Sequence, residues 1–75
     1  MDVLKTRKAL GERLRAFRRK KGLSMYKVAK NGNIAIGQVR AVENGDTNYT
    51  VNILLGYLSG CGLKVKFRDE NIVLH

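Results

Sequence analysis

The side chains in this sequence that could do chemistry are mostly cations. Fifteen Lys and Arg residues stand against six Asp and Glu residues, which gives a net charge of +9 and a pI near 10.2. Residues 1–21 hold nine of the bases with Asp2 and Glu12 as the acids, so +7 of the charge lies there. This excess predicts a polyanionic partner, nucleic acid first and an anionic membrane second, although a basic run can also be only a solvated helix face.

Side chains for catalysis or metal binding are scarce. The one histidine is the terminal His75, and no nucleophile, base and orienting group can be grouped, so we expect no enzyme. The single Cys61 excludes an internal disulfide and gives no metal-site spacing; between two glycines it is typical of a small buried filler. We therefore expect no cofactor, no metal and a reducing compartment, the cytoplasm. With no apolar window near 18 residues, we expect no membrane partner.

The apolar spacing predicts three helices in the first part of the chain. The first begins after Asp2 as N-cap and runs to about Lys20, and Gly22 follows as a left-handed stop. The second begins after Ser24 and is short. The third runs over about 35–44.

A fourth helix and a change of period follow. Thr50 can cap a helix whose apolar positions are 51, 54, 55 and 58, and residues 59–62 end it. From 63 to 68 the apolar residues alternate with basic ones, which indicates a strand. Residues 69–71 predict a turn, and 72–74 a returning strand.

The second and third helices have the spacing of a helix-turn-helix motif. Ala29 is small where the two helices cross, and Asn33 tolerates a positive φ at the turn. Val39 and Val42, three residues apart, pack the third helix back. Since any two amphipathic helices produce part of this pattern, the motif alone is not decisive.

The sequence around the motif resembles the phage-repressor/Cro type of helix-turn-helix domain, the XRE family. The resemblance covers about Leu10 to Leu63 and is carried by LGERLRAFRRKKGLSMYKVAKN, IAIGQVRAVENG and VNILLGYLSGCG. It implies a mainly α fold, a four- to five-helix bundle of the repressor/Cro type, to which the alternating segment adds a short C-terminal β-strand or hairpin. It further implies a homodimer that binds double-stranded operator DNA with the third helix in the major groove. We expect a DNA-binding domain over 1–62 and a β extension over 63–75.

The resemblance places the base-reading residues on the exposed face of the third helix: Ile36, Gly37, Gln38, Arg40 and Ala41. In family members the places of Ile36, Gly37 and Ala41 often carry hydrogen-bonding side chains such as glutamine or serine. Ile36 could touch a thymine methyl, with packing inside the domain as its alternative. Only Gln38 and Arg40 offer polar readout, and we expect Arg40 to be the main base reader, with a phosphate contact as its alternative.

The resemblance also implies phosphate contacts on both sides of the groove. They fall at the start of the second helix and after the third: Tyr26, Lys27, Asn44, Thr47, Asn48 and Tyr49. Two positions depart from the family pattern. Met25 stands where a glutamine usually holds a phosphate, so that contact lacks its usual side chain. Gly32 stands where an apolar residue is expected, which predicts a looser junction between the helices.

Arg18 and Glu43 occupy the positions of an interior ion pair in several family members. We expect a structural pair that joins the first helix to the end of the third. Breaking a buried pair from one side costs about 3–5 kcal/mol because it strands a charge, whereas an exposed pair is worth under about 1 kcal/mol.

The closing segment needs a partner, because a lone hairpin is marginal in water and its edges are open. One alternative is packing on its own helix bundle; the other is pairing with the same segment of a second subunit across a two-fold axis. We predict the second, with these dimerisation residues: Leu63, Val65, Phe67, Ile72 and Leu74. The basic residues Lys64, Lys66 and Arg68 then form the solvent side of the sheet.

Three functions remain. The favoured one is a sequence-specific, double-stranded-DNA-binding transcriptional regulator, a repressor that acts as a homodimer on a two-fold operator. The second is an antitoxin-like repressor whose main partner is a toxin protein, which rests on family analogy alone. The third is a nonspecific nucleic-acid-packaging protein with the basic first helix as its surface. Five aromatic residues, partly used in apolar faces, leave little for base stacking in that case.

Overall fold

Four helices precede a two-stranded antiparallel hairpin in the computed structural model, which describes residues 1–68 and 71–74, without the side chains of 71 and 74. The elements are α1 (Val3–Lys20), α2 (Met25–Gly32), α3 (Ile36–Asn44), α4 (Val51–Gly60), β1 (Val65–Arg68) and β2 (Asn71–Leu74). The mainly α fold with a C-terminal hairpin is thereby confirmed. Among the described helices, none is both long and apolar enough to cross a membrane.

Local sequence signals set the helix ends. Asp2, Ser24 and Thr50 cap α1, α2 and α4, each accepting a hydrogen bond from the backbone N–H three residues on. Gly22 after α1 and Asn33 after α2 have φ of +71° and +56°, the left-handed conformation that stops a helix. These ends agree with those predicted.

The apolar core lies between the helices, with α2 packed along α4 and α1 along α3. Its buried members are Leu14, Val28, Ala29, Val39, Val42, Tyr57, Leu58, Cys61 and Leu63. Cys61 is buried, as predicted, and burial raises the pKa of its thiol. The thiol is therefore a packing group in its protonated form.

Gly32 makes a close junction, so the prediction of a looser one is wrong. A Cβ placed on Gly32 would overlap the backbone oxygen of Gly56 on α4, and one on Gly60 would overlap the backbone oxygen of Val28. The backbones of α2 and α4 therefore touch where neither helix has a side chain. An apolar residue at position 32 would hold the two helices apart.

The hairpin stands away from the bundle except at its base. Phe67 and Ile72 face each other across the strands and are 77% and 67% exposed. Val65 is half-buried and packs against the core. In the described part of the chain, no helix packs along either strand. The predicted turn residues Asp69 and Glu70 lie outside the described residues, as does the side chain of Leu74.

Leu63 requires a correction, because it belongs to the interior of its own subunit. It precedes β1, is only 8% exposed, and its N–H donates to the backbone oxygen of Leu58 at 2.8 Å. Gly62, with φ +75°, turns the chain back so that Leu63 packs into the core. The exposed apolar surface of the hairpin begins beyond Leu63.

We expect Gly32→Ala to lower the free energy of unfolding by about 1–3 kcal/mol, the usual cost of forcing atoms into a filled site. Gly37→Ala is the matched control, because a Cβ there meets nothing within 4 Å. The control should gain up to about 1 kcal/mol from helix propensity. Urea unfolding measures both variants, and a neutral or stabilising Gly32→Ala would contradict the close junction.

Candidate nucleic-acid interface

The α2–α3 unit has the geometry of a helix-turn-helix, with residues 33–35 as the connection. Asn33 provides the left-handed turn, and the N–H of Ile34 donates to the backbone oxygen of Ala29 at 3.0 Å. Ile34 packs half-buried against the core. These contacts fix the point at which α3 begins.

One face of α3 is buried and the opposite face is open. Val39, Val42 and Glu43 point inward with almost no exposure. At 100° per residue, Gly37, Arg40 and Ala41 then lie opposite the core, with Ile36 and Gln38 at the two edges. Ile36, Gly37 and Arg40 are exposed, while Gln38 and Ala41 are half-buried. The five predicted base-reading residues are thus on one accessible side of the helix.

Gln38 also has a structural role that the sequence reading missed. The N-cap residue of α3 is Ala35, whose side chain cannot make a cap. The other half of a capping box is present, because the backbone N–H of Ala35 donates to Oε1 of Gln38 at 2.8 Å. A polar residue three positions after the N-cap was the signal that could have revealed it.

The predicted phosphate-binding residues lie at the start of α2 and around the end of α3. Tyr26 and Lys27 are exposed in the first turn of α2, and Thr47 and Asn48 are exposed after α3. Asn44 is exposed at the end of α3, and its Oδ1 accepts a hydrogen bond from Nη2 of Arg15 at 3.0 Å.

Tyr49 differs from the other residues of the loop because Arg7 holds it. The guanidinium of Arg7 lies 4.1 Å from the centroid of the Tyr49 ring, and Nη2 donates to the Tyr49 backbone oxygen at 3.4 Å. Nε of Arg7 donates to the backbone oxygen of Asp46 at 2.8 Å. Arg7 thereby anchors both ends of the loop and leaves Thr47 and Asn48 at its tip. Nothing in the local sequence indicated this contact, which spans about forty residues.

Glu43 is a buried carboxylate at the end of α3, paired with Arg18. Nε of Arg18 lies 2.6 Å from Oε2 of Glu43, and Nη2 lies 3.1 Å from Oε1. The third guanidinium nitrogen, Nη1, donates to the backbone oxygen of Leu23 at 2.9 Å. Arg18 is 7% exposed, so this is an interior, two-point ion pair.

Two further donors complete the environment of Glu43. The hydroxyl of Tyr57 on α4 donates to Oε2 at 2.5 Å, and Nε of Arg15 donates to Oε1 at 3.3 Å. The helices α1 and α3 can come this close because Gly11 lies against the Val42 and Glu43 backbone oxygens. Tyr57 was missed by the sequence reading, which had placed other residues of α4 on its apolar face.

The pKa values in this cluster follow from burial and pairing. Burial alone would raise the pKa of Glu43, but the hydrogen bonds from Arg18, Tyr57 and Arg15 outweigh it and hold the pKa below its ordinary value. The hydrogen bond to Glu43 raises the pKa of Arg18 against the effect of burial. Burial and the neighbouring carboxylate both raise the pKa of Tyr57. At neutral pH the cluster is therefore one anion, satisfied by two cations and a phenol.

Several of the bases in residues 1–21 hold the bundle together. Arg7, Arg15 and Arg18 make the contacts just described. Lys21 donates to the backbone oxygen of Cys61 at 3.4 Å and lies 5.3 Å from the centre of the Phe17 ring. Four of the nine bases in this run thus have intramolecular partners. The run is only partly a surface for a polyanion.

Comparisons with known proteins agree with this geometry. A family model described as helix-turn-helix matches residues 14–67, which is more than half of the chain. A comparison with curated proteins finds no significant match. Among the described residues, no group of His, Cys, Asp and Glu side chains could hold a metal ion.

We expect Glu43→Gln to lower the free energy of unfolding by about 3–5 kcal/mol, because Arg18 is then a buried charge without its carboxylate. Arg15→Gln is the control, since the Arg15 side chain is 35% exposed and its pair should contribute under about 1 kcal/mol. Thermal unfolding at pH 7 measures both. Equal stability of Glu43→Gln and the parent would contradict the interior role.

The difference in stability between the parent protein and Glu43→Gln is expected to depend on pH. The pKa of Glu43 is lower in the folded chain than the value of about 4.3 of an unfolded glutamate. Its stabilising effect is therefore complete above the unfolded pKa and is lost as the pH falls through the folded pKa. The stability gap between parent and Glu43→Gln should narrow on acidification from pH 7 to pH 3. A constant gap would show that the carboxylate does not stabilise the fold as an anion.

Proposed function

The chain belongs to the XRE-type helix-turn-helix family of DNA-binding regulators, and from this premise we propose that it is a sequence-specific repressor that binds a two-fold operator as a homodimer. The observation that carries the proposal is the open face of α3, opposite the buried Val39 and Val42. Candidate phosphate contacts are exposed in the first turn of α2 and in the loop after α3. The net charge of +9 favours binding to duplex DNA and makes it dependent on salt. Its proposed place of action is the cytoplasm, in contact with the DNA that it regulates.

Each α3 residue has a proposed part in this function. Arg40 is exposed and reaches out with several donors, which suits the two acceptors of guanine. Ile36 and Ala41 offer apolar contact to a thymine methyl. Gly37 allows the helix backbone to approach the base edges. Lys27 and Asn48 are proposed to contact phosphates and thereby set the register.

The hairpin is proposed as the dimerisation element. Phe67 and Ile72 together expose an apolar pair on one face, with Val65 beside them at the base. The groove next to it has a volume of about 380 Å³. Its lining is mainly apolar but includes two polar side chains: Leu55, Leu58, Ser59, Gly62, Leu63, Lys64 and Val65. Since water is an unfavourable environment for such a surface, a second copy of the hairpin is its proposed cover. Two copies must hold their α3 helices about 34 Å apart to reach successive turns of one face of the duplex.

Nonspecific packaging has less support than operator binding. That function would use the basic residues of α1 as its main surface. Arg15 and Arg18 of that helix are instead paired with the buried carboxylate of Glu43, and Arg7 is bonded to a backbone oxygen. Fewer basic side chains of α1 are therefore free to contact phosphates.

Two substitutions separate base reading from phosphate contact. Selection of bound duplexes from a random pool, followed by titration at several salt concentrations, is the measurement. Lys27→Ala should reduce the slope of log affinity against log salt by about 0.9 and leave the selected sequence unchanged. Arg40→Ala should relax the preference at one base pair by about 1–3 kcal/mol. If the parent protein selects no sequence, packaging becomes the better proposal.

The dimer is tested by replacing its proposed apolar pair. Phe67→Ser combined with Ile72→Ser should yield monomer in analytical ultracentrifugation and weaken binding to a two-fold site at least tenfold, because each half-site is then bound separately. Lys66→Ser, on the other face of β1, is the control and should remain dimeric. A parent protein that is monomeric without DNA or another protein would contradict the homodimer and favour the antitoxin alternative.

A further inference from the structure

Every side-chain oxygen of α3 already accepts a hydrogen bond from within the domain. Oε1 of Gln38 accepts the N–H of Ala35 at 2.8 Å, and Oδ1 of Asn44 accepts Nη2 of Arg15 at 3.0 Å. The carboxylate of Glu43 is buried and bonded to Arg15, Arg18 and Tyr57. The assignment of Oε1 does not depend on choosing an amide orientation, because a backbone N–H can only donate and requires an acceptor.

What remains toward solvent on α3 is a set of donors and methyl groups. Gln38 has its NH₂ group, with two donors, and Arg40 has a guanidinium, which has donors only. Ile36 and Ala41 carry only hydrocarbon, and Gly37 has no side chain; a Cβ there would meet nothing within 4 Å. Asn44, exposed at the end of the helix, adds a second amide NH₂ group, and with it the inventory covers all residues of α3.

From this distribution we propose that α3 reads the acceptor-bearing base edges of guanine and thymine, and that Gln38 is the residue that discriminates against adenine. The proposal deepens the proposed function and rests on it. A glutamine pairs with adenine by accepting from N6 while donating to N7. The Gln38 oxygen already accepts the N–H of Ala35, so pairing with adenine would need its second lone pair and would have to keep the held amide in the plane of the base, which disfavours the two-point contact. The Gln38 NH₂ group can still donate to O6 or N7 of guanine, or to O4 of thymine.

The remaining side chains of the face support the same selection. Arg40 also requires acceptors and is suited to guanine. Ile36, exposed at the other edge of the face, suits the methyl group that only thymine carries in the major groove. Cytosine presents an amino donor there, and adenine presents an amino donor beside its N7 acceptor. For these amino groups α3 has no acceptor that the fold does not already use. The contacted strand of each half-site should therefore be rich in G and T at the positions under α3.

The test is Gln38→Glu, with selection of bound duplexes from a random pool as the readout. A glutamate keeps an oxygen that can accept the N–H of Ala35, but it replaces the donor toward the DNA by an acceptor. One position of the selected half-site should change from G or T to C or A, with a preference of roughly 12- to 160-fold, the range of one hydrogen bond to a charged group. The quantity compared between parent and variant is the base preference, and not the affinity, because the added negative charge weakens binding to every sequence.

Gln38→Met is the matched variant that removes both the cap and the donor. It should lower the thermal midpoint and abolish the preference at that position, whereas Gln38→Glu should keep the midpoint of the parent. If binding by Gln38→Glu is too weak for selection, the parent protein is titrated with its selected duplex carrying a base analogue at that position. At a guanine the analogues are 7-deazaguanine, which lacks N7, and separately 2-aminopurine, which lacks O6; at a thymine the analogue is 5-methyl-2-pyrimidinone, which lacks O4. Loss of the contacted acceptor should weaken binding by roughly 2- to 12-fold, the range of one neutral hydrogen bond.

Three results of these experiments would overturn the inference or the proposed function on which it rests. Adenine or cytosine selected by the parent at the position that Gln38 controls would overturn the inference. The inference would also be overturned if neither Gln38 variant changed the selected site and no base analogue changed the affinity. The proposed function would still stand in that case. A parent protein that selects no sequence would contradict the proposed function itself.

Discussion

The carboxylate of Glu43 is the group on which the arrangement of the bundle depends. A buried anion is tolerated only where donors surround it. Here those donors come from α1, through Arg15 and Arg18, and from α4, through Tyr57. Since Glu43 is on α3, its bonds fix that helix against both neighbours from its C-terminal end. The open face of α3 is directed outward because the opposite face carries this carboxylate together with two fully buried valines.

A second constraint acts between α2 and α4. Where Gly32 meets Gly56, the two backbones are in contact, and no side chain can adjust the spacing. Close-packed backbone leaves little freedom to slide or tilt. The α2–α3 unit is therefore held at two places of different character, by backbone contact at the end of α2 and by an ionic cluster at the end of α3. Between them, the turn at Asn33 sets the direction in which α3 leaves.

Local features of this fold could be predicted from the sequence, whereas several contacts over long separations could not. The caps at Asp2, Ser24 and Thr50 depend only on neighbouring residues, and each was predicted. In α4 the apolar pattern had assigned Val51 and Leu55 to the buried face, but they are exposed, and Tyr57 lies inside. A hydropathy pattern ranks tyrosine below leucine and cannot register a hydroxyl whose acceptor lies on another helix.

Glycine and strand positions were ambiguous for a different physical reason. Gly32 carries no side chain to place in a pattern, so close backbone contact and loose packing look alike in the sequence. The alternation over 63–68 correctly identified a strand. It did not reveal that Leu63 turns back into the core, because that turn depends on the left-handed conformation of Gly62. The candidate DNA residues came from family resemblance. That these residues share one face follows from the helix period. The hydrogen bond to the Gln38 oxygen became visible only in the structure.

The atoms that stabilise α3 and the atoms that would read DNA overlap, and this has a consequence for how the domain can change. The oxygen of Gln38 accepts the N–H of Ala35 at the start of the helix, and the oxygen of Asn44 is held by Arg15. A serine or aspartate at position 35 would bond the N–H of residue 38 and leave the N–H of residue 35 in need of Gln38, whereas a proline there has no N–H to donate. A proline could thus release the Gln38 oxygen toward the groove without any change at a base-contacting residue. Specificity in such a helix is therefore set partly by residues that never approach a base, through the hydrogen bonds that the fold requires.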